Sequence, residues 1–209
     1  MHNCNLDVSI HKLSKIEGHA DLDIKVRNGQ VKEVNLRVME NVRFFNQAVR
    51  GMSYNNVPQL VSRICGTCSI AHLTACIEAV EKTLGIQPTE QTLRMRKLTM
   101  YSMMIRDHAL HLYFFVLPDI FGVDSVLDII ELSAQELSQR SGLKINLDGK
   151  TLVEQALAVK EAGNNLSKLI AGRAVHATFE QVGGFVGQVD QTKLSQVRQE
   201  LQSVREYIL

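Results

Sequence analysis

The sequence predicts an α+β protein, mainly a helical bundle around a long central helix, with a small antiparallel sheet at its N-terminal end. Three observations carry this expectation. Ala20 to Val26 alternate apolar and polar residues and run into Asn28-Gly29, a dipeptide suited to a tight hairpin turn. Beyond Met39 the apolar period lengthens from strand-like to helix-like. From Met100 to Phe115 apolar residues occupy nearly every helical face, which marks a helix buried on all sides, either at the centre of a bundle or in a large interface with another chain.

The elements follow in order. Val31, Val34, Leu36 and Val38 give a returning strand with a less regular alternation, and Asp7 to His11 offers a third strand. Residues 1–40 are read as this sheet and residues 41–209 as a helical domain, one structural unit completed by a partner chain. Val42 to Gly51 predicts a short helix. Pro58 suits a first helical turn and opens a short helix to Ser62. Ser69 is placed as the cap of a helix to Leu84, with Leu73, Cys76, Ile77, Val80 and Leu84 on its apolar face and Gly85 ending it. Thr89 opens the longest predicted helix, which Pro118 is expected to stop. Val123 to Arg140 predicts two short helices, and Leu143 to Leu147 a brief extended piece. Thr151 to Ile170 is amphipathic, with Gly163-Asn164-Asn165 weakening its middle. Gly183-Gly184 marks a turn, and Asp190 caps a last helix from Gln191 to about Tyr207.

Composition narrows the function. At 45% apolar and 22% charged, with a formal charge of +1, the chain has no basic block and no expected nucleic-acid partner. No apolar run approaches the roughly 18 residues of a spanning segment. The N-terminus lacks a secretory pattern, so a cytoplasmic location is expected. Four cysteines, at positions 4, 65, 68 and 76, are too few for a disulfide scaffold. Cys65 and Cys68 form a C-x-x-C pair just ahead of a helix, which suits either one metal ion or a redox dithiol. Cys76 lies about two helical turns, roughly 12 Å, past Cys68, too far for the same ion; a small core residue is the plainer reading. His72 stands one turn beyond Cys68, and either packs in the core or donates a hydrogen bond to a metal-bound sulfur. Arg63 either favours anionic ligands or makes an ordinary salt bridge.

Arg63-Ile64-Cys65-Gly66-Thr67-Cys68 with His72 resembles the N-terminal metal-binding motif of nickel-iron hydrogenase large subunits. Ile16-Glu17-Gly18-His19 resembles that family's first motif. His108-Ala109-Leu110-His111-Leu112-Tyr113 with Leu117-Pro118-Asp119 resembles its central helix, and Gly172-Arg173-Ala174-Val175-His176 followed by Gly183-Gly184 a later stretch. The order is the family's, and the motifs cover nearly all of the chain.

The resemblance implies a nickel-iron centre whose iron carries cyanide and carbon monoxide. It implies Cys65 as a terminal nickel ligand, Cys68 as a bridge between nickel and iron, and His72 as a hydrogen-bond donor near the bridging sulfur. Glu17 would pass protons to and from a nickel thiolate, with Arg63, His19 and His108 in supporting roles. It also implies partners: iron–sulfur clusters in a small subunit, further electron-transfer subunits, and H2 as substrate.

There are departures. The family's second cysteine pair, near the C-terminus in a run like Asp-Pro-Cys-x-x-Cys, has no counterpart here, and neither has an arginine expected beside the iron's small ligands. Asn46 stands where a glutamate usually follows Arg43-Phe44-Phe45, which puts the family's second metal site, for magnesium or iron, in doubt. Three readings follow: the N-terminal part of a split catalytic subunit, with another chain bearing the C-terminal half and its Cys-x-x-Cys; a non-catalytic, hydrogenase-like structural subunit of a redox complex; or a piece of a longer protein.

Overall fold

The computed structural model describes residues 4–13, 16, 18–39 and 42–208. The expected α+β composition is found: a three-stranded antiparallel sheet near the N-terminus and a predominantly helical remainder. By contact the chain divides into Met1–Arg50 and Gly51–Leu209, so the first short helix groups with the sheet.

In the first unit, β1 (Leu6–Ile10), β2 (Ala20–Arg27) and β3 (Gln30–Val38) form a sheet of order β1-β2-β3. Asn28 and Gly29 take the left-handed conformations, φ 55° and 72°, that a two-residue hairpin turn requires. The irregular alternation of β3 has a physical cause. Val26 faces Val31 but Lys25 faces Glu33, so one extra residue is accommodated in a bulge. The bulge puts Val31 and Val34 on one face despite their odd spacing. That face also carries Leu6, Leu22, Ile24 and Leu36, by the alternation and register of the strands. The opposite face is charged, with Arg37 2.9 Å from Asp23 and Lys25 2.8 Å from Glu33. Helix α1 (Val42–Ala48) completes the unit.

The second unit begins with α2 (Val57–Val61), which runs into a single 3₁₀ turn, Ser62–Ile64. Helix α3 (Ser69–Leu84) ends at Gly85, in left-handed conformation. Helix α4 (Glu90–Leu110) is capped by the Thr89 hydroxyl, which accepts from the Thr92 N–H. Pro118 does not stop the helical path. Residues His111–Val116 adopt a π-helical turn, and α5 (Leu117–Phe121) resumes beyond it. Pro118 thus falls in the first turn of α5, where no backbone donor is needed, and Gly122 makes the actual stop.

Short helices α6 (Val126–Ile129) and α7 (Ala134–Ser141) follow, each with a reciprocal Ser–acid capping box. Residues 143–147, expected to be extended, form no strand. The Ser138 hydroxyl ties down Ile145 through both its N–H and its carbonyl, so no backbone partner is needed there. Helix α8 (Gly149–Ala171), not α4, is the longest single helix, and Gly163 does not interrupt it. A Cβ on Gly163 would lie 2.9 Å from the Arg106 nitrogen, so the glycine allows α8 to approach the backbone of α4. A short hairpin, β4 (Glu180–Gln181) with β5 (Gly184–Phe185), and helix α9 (Gln191–Val204) complete the unit.

The main core lies between α3, α4 and α8, around Ile70, Leu73, Ile77, Met103, Leu166 and Ile170. Helix α4 is unusual within it. Its inward residues include Thr92, Arg96, Thr99, Ser102 and Arg106, while Tyr101 and Phe115, of α4 and the turn after it, are about half exposed. Most of this polar face is paired internally, although the buried Arg96 Nε has no partner among the described residues. Arg96 donates to both Glu81 carboxylate oxygens at 2.8 and 2.6 Å, and to the Gln181 carbonyl. Its hydrogen bonds hold the Glu81 carboxyl below the usual carboxylate range.

Glu180, 1% exposed, accepts a 2.8 Å bond from the Thr74 hydroxyl, and its other oxygen has no partner among the described residues. Burial foremost pushes its carboxyl up to about 7. Between the ordinary carboxylate value and about 7, the folded chain therefore keeps a proton that the unfolded chain has lost. Stability should fall by up to about 3 kcal/mol as pH rises through this window, and level off above it. Glu180→Gln should remove that slope, read as urea midpoints at a series of pH values. An unchanged slope would assign the dependence to other groups.

Candidate metal centre

The C-x-x-C segment joins the 3₁₀ turn Ser62–Ile64 to α3. Cys65 is extended, at φ −143° and ψ 140°, and Cys68 occupies the N-cap position of α3. The connecting turn is closed by the Ser69 N–H to the Gly66 carbonyl at 3.3 Å. The Cys68 N–H donates to Cys65 Sγ at 3.1 Å. The two Cα atoms lie 5.5 Å apart, and the sulfurs are joined as a disulfide. One helical turn on, the His72 N–H bonds the Cys68 carbonyl at 3.2 Å, and the imidazole comes to the same side. Ligand atoms of Cys65, Cys68 and His72 all lie within 4.8 Å of one another, and each of these residues is half-buried.

Ser69 does not act as the cap expected of it. It is fully buried, and its hydroxyl accepts the His176 N–H at 3.0 Å, tying α3 to the segment after α8. That segment is the Gly172-to-His176 motif. Gly172 ends α8 at φ 82° and His176 turns the chain at φ 55°. The Ser167 hydroxyl donates to the Arg173 carbonyl at 2.9 Å, and Gln59 of α2 donates to the Ala177 carbonyl at 3.0 Å. Burial, then the positive charge of Arg63, holds the His176 imidazole below its ordinary pKa. The cysteine turn is thus backed by a second loop cross-linked to α2, α3 and α8.

The predicted residues are placed as follows. Cys65, Cys68 and His72 come together. Arg63 is exposed in the 3₁₀ turn beside them. Glu17 lies outside the described residues. His108 is exposed on α4, and His19 and Asn46 belong to the first unit. Cys76 is a half-buried free thiol whose pKa burial raises, and Cys4 is an exposed one. The fold brings two further groups to the cysteine turn. Arg106 on α4 reaches the Thr67 carbonyl, and Ser69 anchors His176. Arg106 had a visible signal, a lone arginine in an apolar stretch. Ser69 had none beyond its position.

Two thiolates and an imidazole form a soft donor set that suits nickel, iron or zinc better than magnesium or calcium. The disulfide form offers no thiolate, so metal binding requires its two-electron, two-proton reduction to a pair of thiols, which then lose their protons to the metal. Two sulfurs and one nitrogen do not complete a tetrathiolate site.

The family model for nickel-dependent hydrogenases matches residues 43–154, more than half of the chain. The alpha subunit of sulfhydrogenase 2 from Pyrococcus furiosus is 32% identical over 197 residues, covering 94% of this chain and 44% of that protein. A vhu subunit of the F420-non-reducing hydrogenase from Methanocaldococcus jannaschii is 28% identical over 202 residues, covering 96% and 46%. Among solved structures, an NAD+-reducing [NiFe]-hydrogenase in the H2-reduced state superposes with a TM-score of 0.73 at 26% identity, covering 97% of this chain and 43% of that one. The chain spans less than half the length of these relatives. With its cysteine pair, its helical core and more than half of its residues matching one family, the chain belongs to the nickel-dependent hydrogenases.

Proposed function

We propose that this chain supplies two thiolate ligands, Cys65 and Cys68, to the nickel-iron centre of a hydrogenase whose catalytic subunit is completed by a second polypeptide. The observation that carries this reading is the convergence of Cys65, Cys68 and His72 within 4.8 Å in a chain of this family. When bound, a nickel-iron centre supplies the Lewis acid needed to split H2 into two protons and two electrons. The residues of this chain hold and serve it. Once reduced, Cys65 and Cys68 would hold the nickel-iron centre as thiolates, and the family resemblance assigns cyanide and carbon monoxide to its iron. His72 donates a hydrogen bond towards the Cys68 sulfur. Glu17 accepts the proton released beside the sulfurs and passes it on. Arg63 places a positive charge at the rim of the cysteine turn.

The second polypeptide is the chemical complement of what is present. It brings two further cysteines and covers apolar surface that this chain leaves open. Tyr101, Met104, Leu112 and Phe115, along α4 and the turn after it, are exposed while arginines are buried. An exposed apolar patch of this kind marks an interaction surface. A small subunit with iron–sulfur clusters, joined by further electron-transfer subunits, would supply the path for the electrons. No described helix is long and apolar enough to cross a membrane. A reducing compartment such as the cytoplasm keeps the pair available for metal.

The Cys65–Cys68 disulfide favours a second reading, a non-catalytic structural subunit whose pair stays oxidised. The purified assembly separates the two. The catalytic reading expects about one nickel per assembly and H2-dependent reduction of a dye. Glu17→Gln should spare the metal and suppress H2/D2O exchange by about 100-fold or more, as loss of a positioned proton carrier does. An assembly without nickel, with the pair still disulfide-bonded after isolation under reducing conditions, would establish the second reading.

A further inference from the structure

The α4–α8 contact carries an arginine that neither the core nor the proposed chemistry accounts for. Arg106 is only 4% exposed, and burial pushes its guanidinium below the ordinary arginine pKa. Among the described residues its guanidinium meets backbone carbonyls rather than a carboxylate. One terminal nitrogen donates to the Thr67 carbonyl at 2.7 Å, and the other to the Ala174 carbonyl. Thr67 lies between the two cysteines, and Ala174 lies in the Gly172-to-His176 motif. A planar fork can hold two carbonyls in a fixed relation, which a lysine ammonium cannot do with the same geometry.

The surroundings keep this fork in place. Gly163 lets α8 press against α4 at Arg106 itself. The Ser167 hydroxyl shares the Ala174 carbonyl at 3.3 Å, and the Ser69 hydroxyl holds the His176 N–H beyond it. The guanidinium therefore joins the cysteine turn, the backing loop and the α4–α8 contact. The Thr67 carbonyl and the Cys68 N–H share one peptide plane, so fixing the carbonyl constrains the backbone at Cys68 and aims its N–H, which donates to Cys65 Sγ.

We propose that Arg106 is a positioning residue for the Cys65–Cys68 pair, clamping the Thr67 carbonyl to the Ala174 carbonyl so that both sulfurs present to one metal ion. This rests on the reading of the pair as metal ligands. The probe is cobalt(II), added under reducing conditions to the full chain in its assembly isolated after nickel-depleted growth, so that no nickel already fills the site, and read through the sulfur-to-cobalt charge-transfer band. The unaltered chain should show the band, and the Cys65→Ser/Cys68→Ser double variant should lack it. Absence of the band from the unaltered chain would overturn the metal reading and this proposal with it.

Given the band, Arg106→Gln should weaken cobalt binding by about 10- to 100-fold, the usual effect of losing a group that orients ligands. Arg106→Lys, which keeps the charge but not the fork, should weaken it similarly. Arg140 makes the same kind of bond, 3.0 Å to the Phe121 carbonyl, away from the cysteine turn. Arg140→Gln should leave cobalt affinity unchanged. Wild-type affinity and band shape in Arg106→Lys would overturn the clamp while leaving the metal reading intact. An equal loss in Arg140→Gln would reduce the effect to general destabilisation and also overturn it. Should Arg106→Gln fail to fold, the Lys variant alone decides.

Discussion

Replacing Cys65 by Ser in the purified assembly is expected to lower its nickel content from about one per assembly to a small fraction of that, with H2-dependent dye reduction falling to background. A serine hydroxyl is a harder and far less acidic donor than a thiol, and nickel in a sulfur-rich site discriminates strongly against it. The effect should be local. Cys65 is half-buried in a turn, and the core around Ile70, Leu73 and Ile77 does not depend on it. Far-ultraviolet circular dichroism and melting temperature should therefore change little. Cys76→Ser is the matched control, since that thiol stands apart from the converging donors and its pKa is raised by burial alone. Nickel should survive this change. Equal loss in both variants would mean that nickel content reports folding rather than ligation.

The largest loss of stability is expected from Arg96→Met. Arg96 and Glu81 form a buried, doubly hydrogen-bonded ion pair, and each side chain is about 95% removed from solvent. Glu81 also accepts the Gly183 N–H at 2.6 Å, and Arg96 holds the Gln181 carbonyl, so the pair pins the β4–β5 hairpin to α3 and α4. Removing the arginine leaves the Glu81 carboxylate buried and uncompensated, with the Glu180 carboxyl nearby. Breaking such a pair costs about 3–5 kcal/mol. In a chain of this size that corresponds to roughly 6–20 °C in melting temperature.

The pH dependence has a definite sign. Arg96 holds the Glu81 carboxyl below its ordinary value, so the pair's contribution is full above the ordinary carboxylate pKa and is lost as pH falls through the lowered one. The gap between wild type and Arg96→Met should therefore narrow in acid. The double change Glu81→Leu/Arg96→Met should recover much of the loss, because it removes both charges together. If the single and double variants are equally unstable, the hairpin contacts matter more than the charges.

Much of this architecture could be read from local chemistry. Asn28-Gly29 fixed the hairpin, and Thr89, Gly85 and Asp190 marked helix ends where the chain has them. Pro118 misled because a proline stops a helix only where its missing donor is needed. The π turn before it moved it into a first helical turn, and local sequence does not announce that register change. Gly163 read as a weak point, yet its lack of a side chain serves a contact with Arg106 some 57 residues earlier in the chain, which local sequence cannot display. The apolar residues around Met100 to Phe115 predict burial in a bundle or against another chain; the inward face of α4 is largely polar and several of its apolar residues are exposed, so the bundle alone does not bury them.

The site divides in the same way. The convergence of Cys65, Cys68 and His72 follows from a C-x-x-C at a helix start and a histidine one turn on, all within eight residues. The carbonyl clamp of Arg106 and the Ser69–His176 bond join segments about 40 to 107 residues apart, and only the folded chain brings them together. Glu180 sits in a two-residue strand too short for any periodicity, so its burial left no trace in the sequence.

X-ray absorption at the nickel edge of the intact assembly tests sulfur ligation by this chain most directly. A shell dominated by sulfur, reduced by one sulfur in Cys68→Ser and in Cys65→Ser wherever nickel is retained, is the expected result. A nickel shell of nitrogen and oxygen alone, or one that neither substitution alters, would contradict it.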